Sequence, residues 1–285
     1  MKFHRKALEL FGQPDLPLDS ARGAAAVRSA AALDVALPAA VAEWYCVPEQ
    51  SELWRNWYAG CHAPAVWQKA GTNCMVRPDP PGDNDYREWW VNPPVRRDLK
   101  EWVKGPILPL MCENQGCWWW GVLLDGAPDP PAVISYDCGD TWDTCADAFS
   151  TYVYAIVFDV TLFSPSGFRR DFRVEECVCG ERRRALREEF RIEPTTRGAG
   201  CVSGVFTERF SRPGQRFSFW NHPEHQFSCW RLWAADTTAF SDLAGRLCRI
   251  LPVLNRPFLW DESRPSIPPG WSAGGGESGD GEIPF

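Results

Sequence analysis

Apolar positions recur at helical spacing between Asp147 and Phe163, where Phe149, Val153, Ile156 and Val160 share one face. The pattern predicts a helix there, with Asp147 or Ser150 able to cap it. A second amphipathic run, Asp236 to Leu251, places Phe240, Leu243, Leu247 and Ile250 on one side and predicts the last helix. Near the N-terminus, residues 20–33 are alanine-rich behind Asp19 and Ser20, either of which can cap a helix. Leu37 to Tyr45 reads as another, with Pro38 in the first helical position and Leu37, Val41, Trp44 and Tyr45 on one face. Ser51 to Tyr58, ended by Gly60, and Arg97 to Val103 are shorter candidates.

Between these helices the pattern changes to short aromatic and β-branched runs broken by turn residues. Ile107–Met111, Cys117–Leu124 and Ala132–Tyr136 are predicted strands, separated by Glu113-Asn114-Gln115-Gly116 and by Asp125-Gly126, and followed by a turn at Cys138–Thr141. Cys201–Phe206, Arg216–Trp220 and Phe227–Trp233 are predicted strands of the C-terminal part. Residues 169–191 hold eight arginines and six acids and read as a solvated helix laced with ion pairs around Glu181–Phe190. Loops are expected at 77–86, and the stretch after Glu262, rich in Pro, Gly, Ser and Glu, is expected to be a disordered tail. Two segments share an order, aromatic strands, a tryptophan, then a helix opening Ala-Phe-Ser: Trp142 with Ala148-Phe149-Ser150, and Trp233 with Ala239-Phe240-Ser241. The order hints at a duplication. Helices and runs of strands in blocks define an α+β class with a mostly antiparallel sheet.

Composition narrows the setting. The 285 residues suffice for one large unit or two modest ones, and 45% hydrophobic with 24% charged residues is ordinary for a folded protein. The basic start Met1–Lys6 is not followed by an apolar core segment, because Glu9, Gln13, Asp15 and Asp19 interrupt; no secretory signal is expected. Gly23–Val47 is too interrupted to span a bilayer. Twelve scattered cysteines are then expected to be reduced and mostly buried, in a cytoplasmic protein. A net charge of −7 argues against non-specific nucleic-acid binding and favours basic partners.

Candidate chemistry is sparse. His222-Pro223-Glu224-His225 has the wrong spacing for a helical zinc motif, and Pro223 blocks a helix through it. Cys177-Val178-Cys179 lacks the two-residue spacer of most zinc and redox pairs. Cys61 and His62 are adjacent and point apart. No phosphate loop, dinucleotide fingerprint or nucleophile elbow is present in the sequence. No cofactor and no metal are expected. What stands out is a set of acids, Asp125, Asp129, Asp137, Asp140, Asp143 and Asp147, in turns flanking two strands, with Glu113 in the preceding turn. Loop acids on a rigid sheet make a negative rim for a basic partner. The run Trp118-Trp119-Trp120 alternates, Trp118 and Trp120 on one face and Trp119 on the other, so one face is core and the other can anchor a partner.

Several segments together resemble the SUKH superfamily, the Smi/Knr-type cell-wall regulators and bacterial immunity proteins. They are Leu37-Pro38 with Val41, Trp44 and Tyr45; Leu108 to Gly116 with its Glu-Asn-Gln-Gly turn; Asp129-Pro130-Pro131-Ala132-Val133; and Cys145 to Val153 with Phe149-Ser150. The resemblance covers about 35–165. It implies an α+β fold, no catalysis, and, in bacteria, neutralisation of a toxin, often a nuclease, by direct binding. A tryptophan-rich insertion at 46–100 departs from the family pattern, and 166–262 lies outside it, as a degenerate second copy or an elaboration. The expected organisation is thus 1–165, 166–262 and a tail at 263–285. The expected function is protein binding, as an immunity protein or as a general scaffold or regulator of the same superfamily. Glu113, Trp118, Trp119, Trp120, Asp125, Asp129, Asp137, Asp140 and Asp143 are the candidate contacts.

Overall fold

Asp19 caps the alanine-rich run as expected: its carboxylate accepts the Arg22 N–H at 3.0 Å, and the helix extends over Ser20–Ala31. In the computed structural model the described residues are 1–32, 34–48, 103, 106–112, 119–135, 142–162, 167–197, 206–222 and 226–255. The helices expected at 51–58 and 97–102, the loop at 77–86, the turns at 113–116 and 138–141, the strand residues 201–205 and the tail lie outside them. The chain divides into two units, Met1–Val160 and Thr161–Phe285. No helix among the described residues is long and apolar enough to cross a membrane.

The first unit has α1 (Arg5–Leu10), α2 (Ser20–Ala31) and α3 (Ala39–Trp44) before four strands, β1 (Ile107–Cys112), β2 (Trp119–Leu123), β3 (Ala132–Ser135) and β4 (Asp143–Ala146). Helix α4 (Phe149–Leu162) follows. Pro38 stands one place earlier than expected, as the N-cap of α3. The strands form an antiparallel meander in the order β1-β2-β3-β4. One sheet face carries Leu108, Leu110, Trp120, Val122 and Ile134 against Trp44, Tyr45, Phe149, Val153 and Ile156. On the other face Ile107, Val133 and Trp142 form a smaller cluster with Val103, and Trp119 and Leu123 pack on it. Burial on both faces explains why these strands read as unbroken apolar runs and not as alternation. Pro109 is tolerated because β1 is an edge strand and its register shifts beside the proline. Opposite it, Gly121 allows close approach: a β-carbon there would stand 2.6 Å from the Leu108 carbonyl oxygen.

The second unit contains β5 (Phe168–Val174), α5 (Gly180–Glu189), β6 (Arg191–Arg197), β7 (Phe206–Arg212), β8 (Gln215–His222), β9 (Phe227–Ala234), α6 (Thr237–Ile250) and a 3-10 turn at Pro252–Leu254. Its five strands pair antiparallel in the order β5-β9-β8-β7-β6. Phe172, Phe210, Phe217, Phe219, Trp230 and Leu232 meet Leu186 of α5 and Leu243 and Leu247 of α6 in one core. The rings stack in sequence, Phe210 on Phe217 at 5.1 Å and Phe219 on Trp230 at 4.6 Å between centroids. On the opposite face, guanidinium groups lie over aromatic rings: Arg173 over Phe227 at 3.8 Å, Arg216 over Trp233 and Arg231 over Trp220, both at 5.2 Å.

Two expectations need correction here. The arginine-rich stretch forms the expected helix, over Gly180–Glu189, but Phe168–Val174 before it is a strand that charge content concealed. The strand placed at 201–206 begins its described part at Phe206 and runs to Arg212, because the charges of Glu208 and Arg209 are absorbed inside. Glu208 pairs with Arg183 at 2.7 Å, and Arg209, fully buried, donates to Thr196 Oγ1 and to the carbonyls of Pro194 and Thr207.

Phe149 is 1% exposed at the start of α4. Phe149→Ala is expected to cost about 3–5 kcal/mol through the cavity it leaves. Urea unfolding followed by circular dichroism checks this; a neutral result shows that the first unit does not close on this ring.

Candidate functional site

The β2–β3 loop carries two of the candidate acids, Asp125 and Asp129, and the chain treats them differently. Asp125 is exposed, and its Oδ1 accepts the Ala127 N–H at 2.9 Å across the turn at Gly126, whose φ is +87°. Asp129 is half-buried and bound to α4. Its Oδ1 accepts the Ser150 N–H at 2.9 Å and its Oδ2 accepts the Ser150 hydroxyl at 2.5 Å. The neighbouring Pro130 carbonyl accepts the Phe149 N–H at 2.7 Å, and the Pro128 carbonyl accepts the Ala40 N–H at 2.8 Å. One loop therefore serves the N-termini of both α3 and α4. The capping role expected of Asp147 or Ser150 is met from outside the helix, by Asp129.

Asp143 is not a rim acid: it lies in β4, pairs in register with Ile134 and is 3% exposed. Trp120 is buried in the main core of the unit, and Trp119 is half-buried against the smaller cluster. The alternation expected of these two is observed, but both rings are committed to packing. Glu113, Trp118, Asp137 and Asp140 lie outside the described residues. The meander also divides the candidates by end. Cys112, Trp119 and Ser135 are aligned at one end of the sheet, where β4 starts; Asp125 and Asp129 sit at the other, beside the start of α4. Of the described acids expected to form a single rim, Asp125 and Asp129 thus stand at one end and Asp143 at the other.

Sequence reading passed over two other groupings. Lys2, Phe3 and His4 present consecutive N–H groups to the Glu43 carboxylate at 2.6, 2.7 and 3.0 Å, and the His4 ring is buried between Trp44 and Phe149. Only the Lys-Phe-His start and the lone Glu43 of α3 signalled it. In the second unit, Cys177-Val178-Cys179 and the His222 end of β8, read separately, are neighbours. The Asn221 side chain holds Val178 by both its N–H, at 3.0 Å, and its carbonyl, at 2.6 Å. The Cys177 thiol lies 3.3 Å from the Phe227 carbonyl and 3.7 Å from that of His222. Burial and then the Cys179 thiol push the Cys177 thiol up. The His222 ring accepts the Trp220 indole N–H at 3.1 Å and stacks on Phe227, which places it on the opposite face of the strand from Asn221. Among the described residues no group of three or more His, Cys, Asp or Glu side chains is placed to hold a metal ion. Cys61, His62 and His225 are outside them.

Deeper titratable groups follow burial. The Cys229 thiol is pushed up to about 12 by desolvation, opposed by Arg173 and Arg231. Desolvation also raises Asp171, with Arg231 and Arg169 opposing. On the surface, Glu189 is held below the usual carboxylate range chiefly by its hydrogen bond from Arg246, and Arg212 also contacts it at 2.8 Å. Cys229 and Asp171 sit on paired strands, and Glu189 joins α5 to β7 and α6; they do not converge on a shared reacting position.

The fold is thus that of an α+β protein with two antiparallel sheets. No family model matches the chain, and no curated protein or solved structure matches it either.

The two loop acids give a direct comparison. Asp129→Ala is expected to destabilise the first unit by about 1–2 kcal/mol, as removal of a helix cap does. Asp125→Ala is expected to stay within about 0.5 kcal/mol. Thermal and urea unfolding of both variants checks this, and equal effects overturn the assignment of Asp129 as the cap.

Proposed function

We propose that this chain is a non-catalytic protein-binding module of the SUKH kind, an immunity-type protein that neutralises a basic toxin domain by direct contact in the cytoplasm. The observation that carries the reading is the segregation of charge. Residues 1–160 hold 21 Asp and Glu against 13 Lys and Arg, whereas 161–255 hold 15 Arg against 11 Asp and Glu. The negative charge of the chain is therefore concentrated in the unit that carries the family resemblance. A negative surface raises the encounter rate with a basic partner and repels nucleic-acid phosphates. The absence of a converging acid, base and nucleophile among the described residues supports binding over catalysis. The second reading is a general scaffold or regulator of the same superfamily, which the tryptophan-rich insertion favours through its capacity for protein contacts.

Since the candidate acids attach to two ends of the meander, they can be tested separately. With the partner recovered by affinity purification from the native host, Asp125→Lys probes one end, and Asp137→Lys with Asp140→Lys probes the other. Reversal at the contacting end is expected to slow association by about tenfold at low salt, less at higher ionic strength, with dissociation little changed. Surface plasmon resonance at two salt concentrations reads this. Unchanged association for both sets removes the acidic loops from the interface.

A further inference from the structure

His4 is 1% exposed. Its Nε2 lies 2.7 Å from the Ala40 carbonyl oxygen, which can only accept, so Nε2 carries the proton and Nδ1 is the bare nitrogen. Nδ1 is buried and has no hydrogen-bond partner among the described residues. The ring meets Trp44 edge-on at 5.3 Å and Phe149 at 5.6 Å. The neutral imidazole fits this box: its one donor is satisfied and the ring packs edge-on between two aromatic rings. The imidazolium does not fit, because it adds a second N–H with no acceptor and a charge with no water. The carboxylates that face it are already engaged. Glu43 of α3 accepts three backbone N–H groups, and Asp129 of the β2–β3 loop is bound to Ser150. On its own segment Lys2, Arg5 and Lys6 add positive charge near the same place.

We propose that His4 makes the N-terminal segment an acid-releasable strap, docked on α3 and α4 when the imidazole is neutral and released when it is protonated. Release uncovers the edges of Trp44 and Phe149 and frees the Glu43 carboxylate. The direction of titration agrees. Burial lowers the His4 pKa below its ordinary value, and the Ala40 bond, Glu43 and Asp129 pull it back only in part. A group depressed in the folded state supports folding fully above its unfolded pKa, about 6.5, and loses that support as pH falls through the lower folded value. The window for release therefore opens below about pH 6.5 and extends down to the lowered folded value.

Hydrogen–deuterium exchange of the full chain tests this, with rates corrected for the intrinsic pH dependence and the α6 segment as internal reference. Protection of residues 2–10 is expected to fall at least about tenfold between roughly pH 7.5 and pH 5, while α6 stays protected. In His4→Gln, whose amide can still donate to the Ala40 carbonyl but does not titrate, the same residues are expected to stay protected across that range. Equal loss in the two proteins overturns the proposal and moves the switch to another group, and no loss in the wild type also overturns it. Where His4→Gln does not fold, the wild-type imidazole resonances decide: titration of His4 below its ordinary value together with loss of residues 2–10 supports the strap. Titration at or above that value overturns it.

Discussion

A helix begins with N–H groups that have no partner within the helix, and here that constraint organises both units. At α4 the difficulty is acute, because Phe149 in the first turn is buried and water cannot reach its amide. The β2–β3 loop supplies Asp129 and the Pro130 carbonyl, so the loop, the strands that flank it and the helix must form together. Register follows from the same tie. A one-residue slip of β2 or β3 against the other turns Trp120 out of the core and draws the loop away from α4.

In the second unit the connection at the same topological place also docks on the helix that follows, without capping it. Its β7–β8 turn offers the Gly214 carbonyl to the Ala235 N–H at 2.9 Å, just before α6. Gln215, the first residue of β8, donates its amide to the Ala239 carbonyl and to Asp242. In each unit a helix precedes a four-stranded meander, the connection between second and third strands docks on the helix after the fourth, and that helix carries a buried phenylalanine in its first turn, Phe149 as the first residue of α4 and Phe240 as the fourth of α6. The units differ in detail. In the second, the local Asp236 caps the helix through the Ala239 N–H, and β5 is added outside β9. Shared topology gives the three-residue sequence match a structural counterpart that the residues alone did not supply.

Elements with helical apolar spacing or unbroken apolar runs were legible from sequence: α2, α4 and α6, and the runs that became β1, β2, β3, β8 and β9. Strands that bury charge were not. Phe168, Arg170, Phe172 and Val174 share a face of β5, yet Arg169, Arg173 and Asp171 between them dominate the composition and pointed to a solvated segment. Arginine makes this possible because its stem covers apolar surface and its planar head stacks on rings such as Phe227 and Trp233. Strand β6 was hidden by Pro194, which an edge strand with a shifted register accommodates. At the candidate site, the separation of Asp129 from Ser150 by 21 positions hid the cap, since pattern rules look for capping residues beside the helix. The strap was hidden for a related reason: Glu43 meets Lys2, Phe3 and His4 only once α3 has folded back beneath the chain start.

These placements change what a protein-binding reading requires. Trp119 and Trp120 pack on opposite faces of the sheet, Asp129 caps α4, and Asp143 is buried in β4. Removing any of them damages the fold before it informs on binding. Of the described candidates this leaves Asp125 as the exposed one, and a single rim charge acts on encounter more than on the lifetime of a complex. Long-lived neutralisation of a toxin requires desolvated anchors, aromatic or arginine side chains that fill a partner's pockets. The proposed binding function therefore assigns steering and anchoring to different parts of the chain, the rate to the acidic first unit and the residence time to side chains other than those that hold its sheet together.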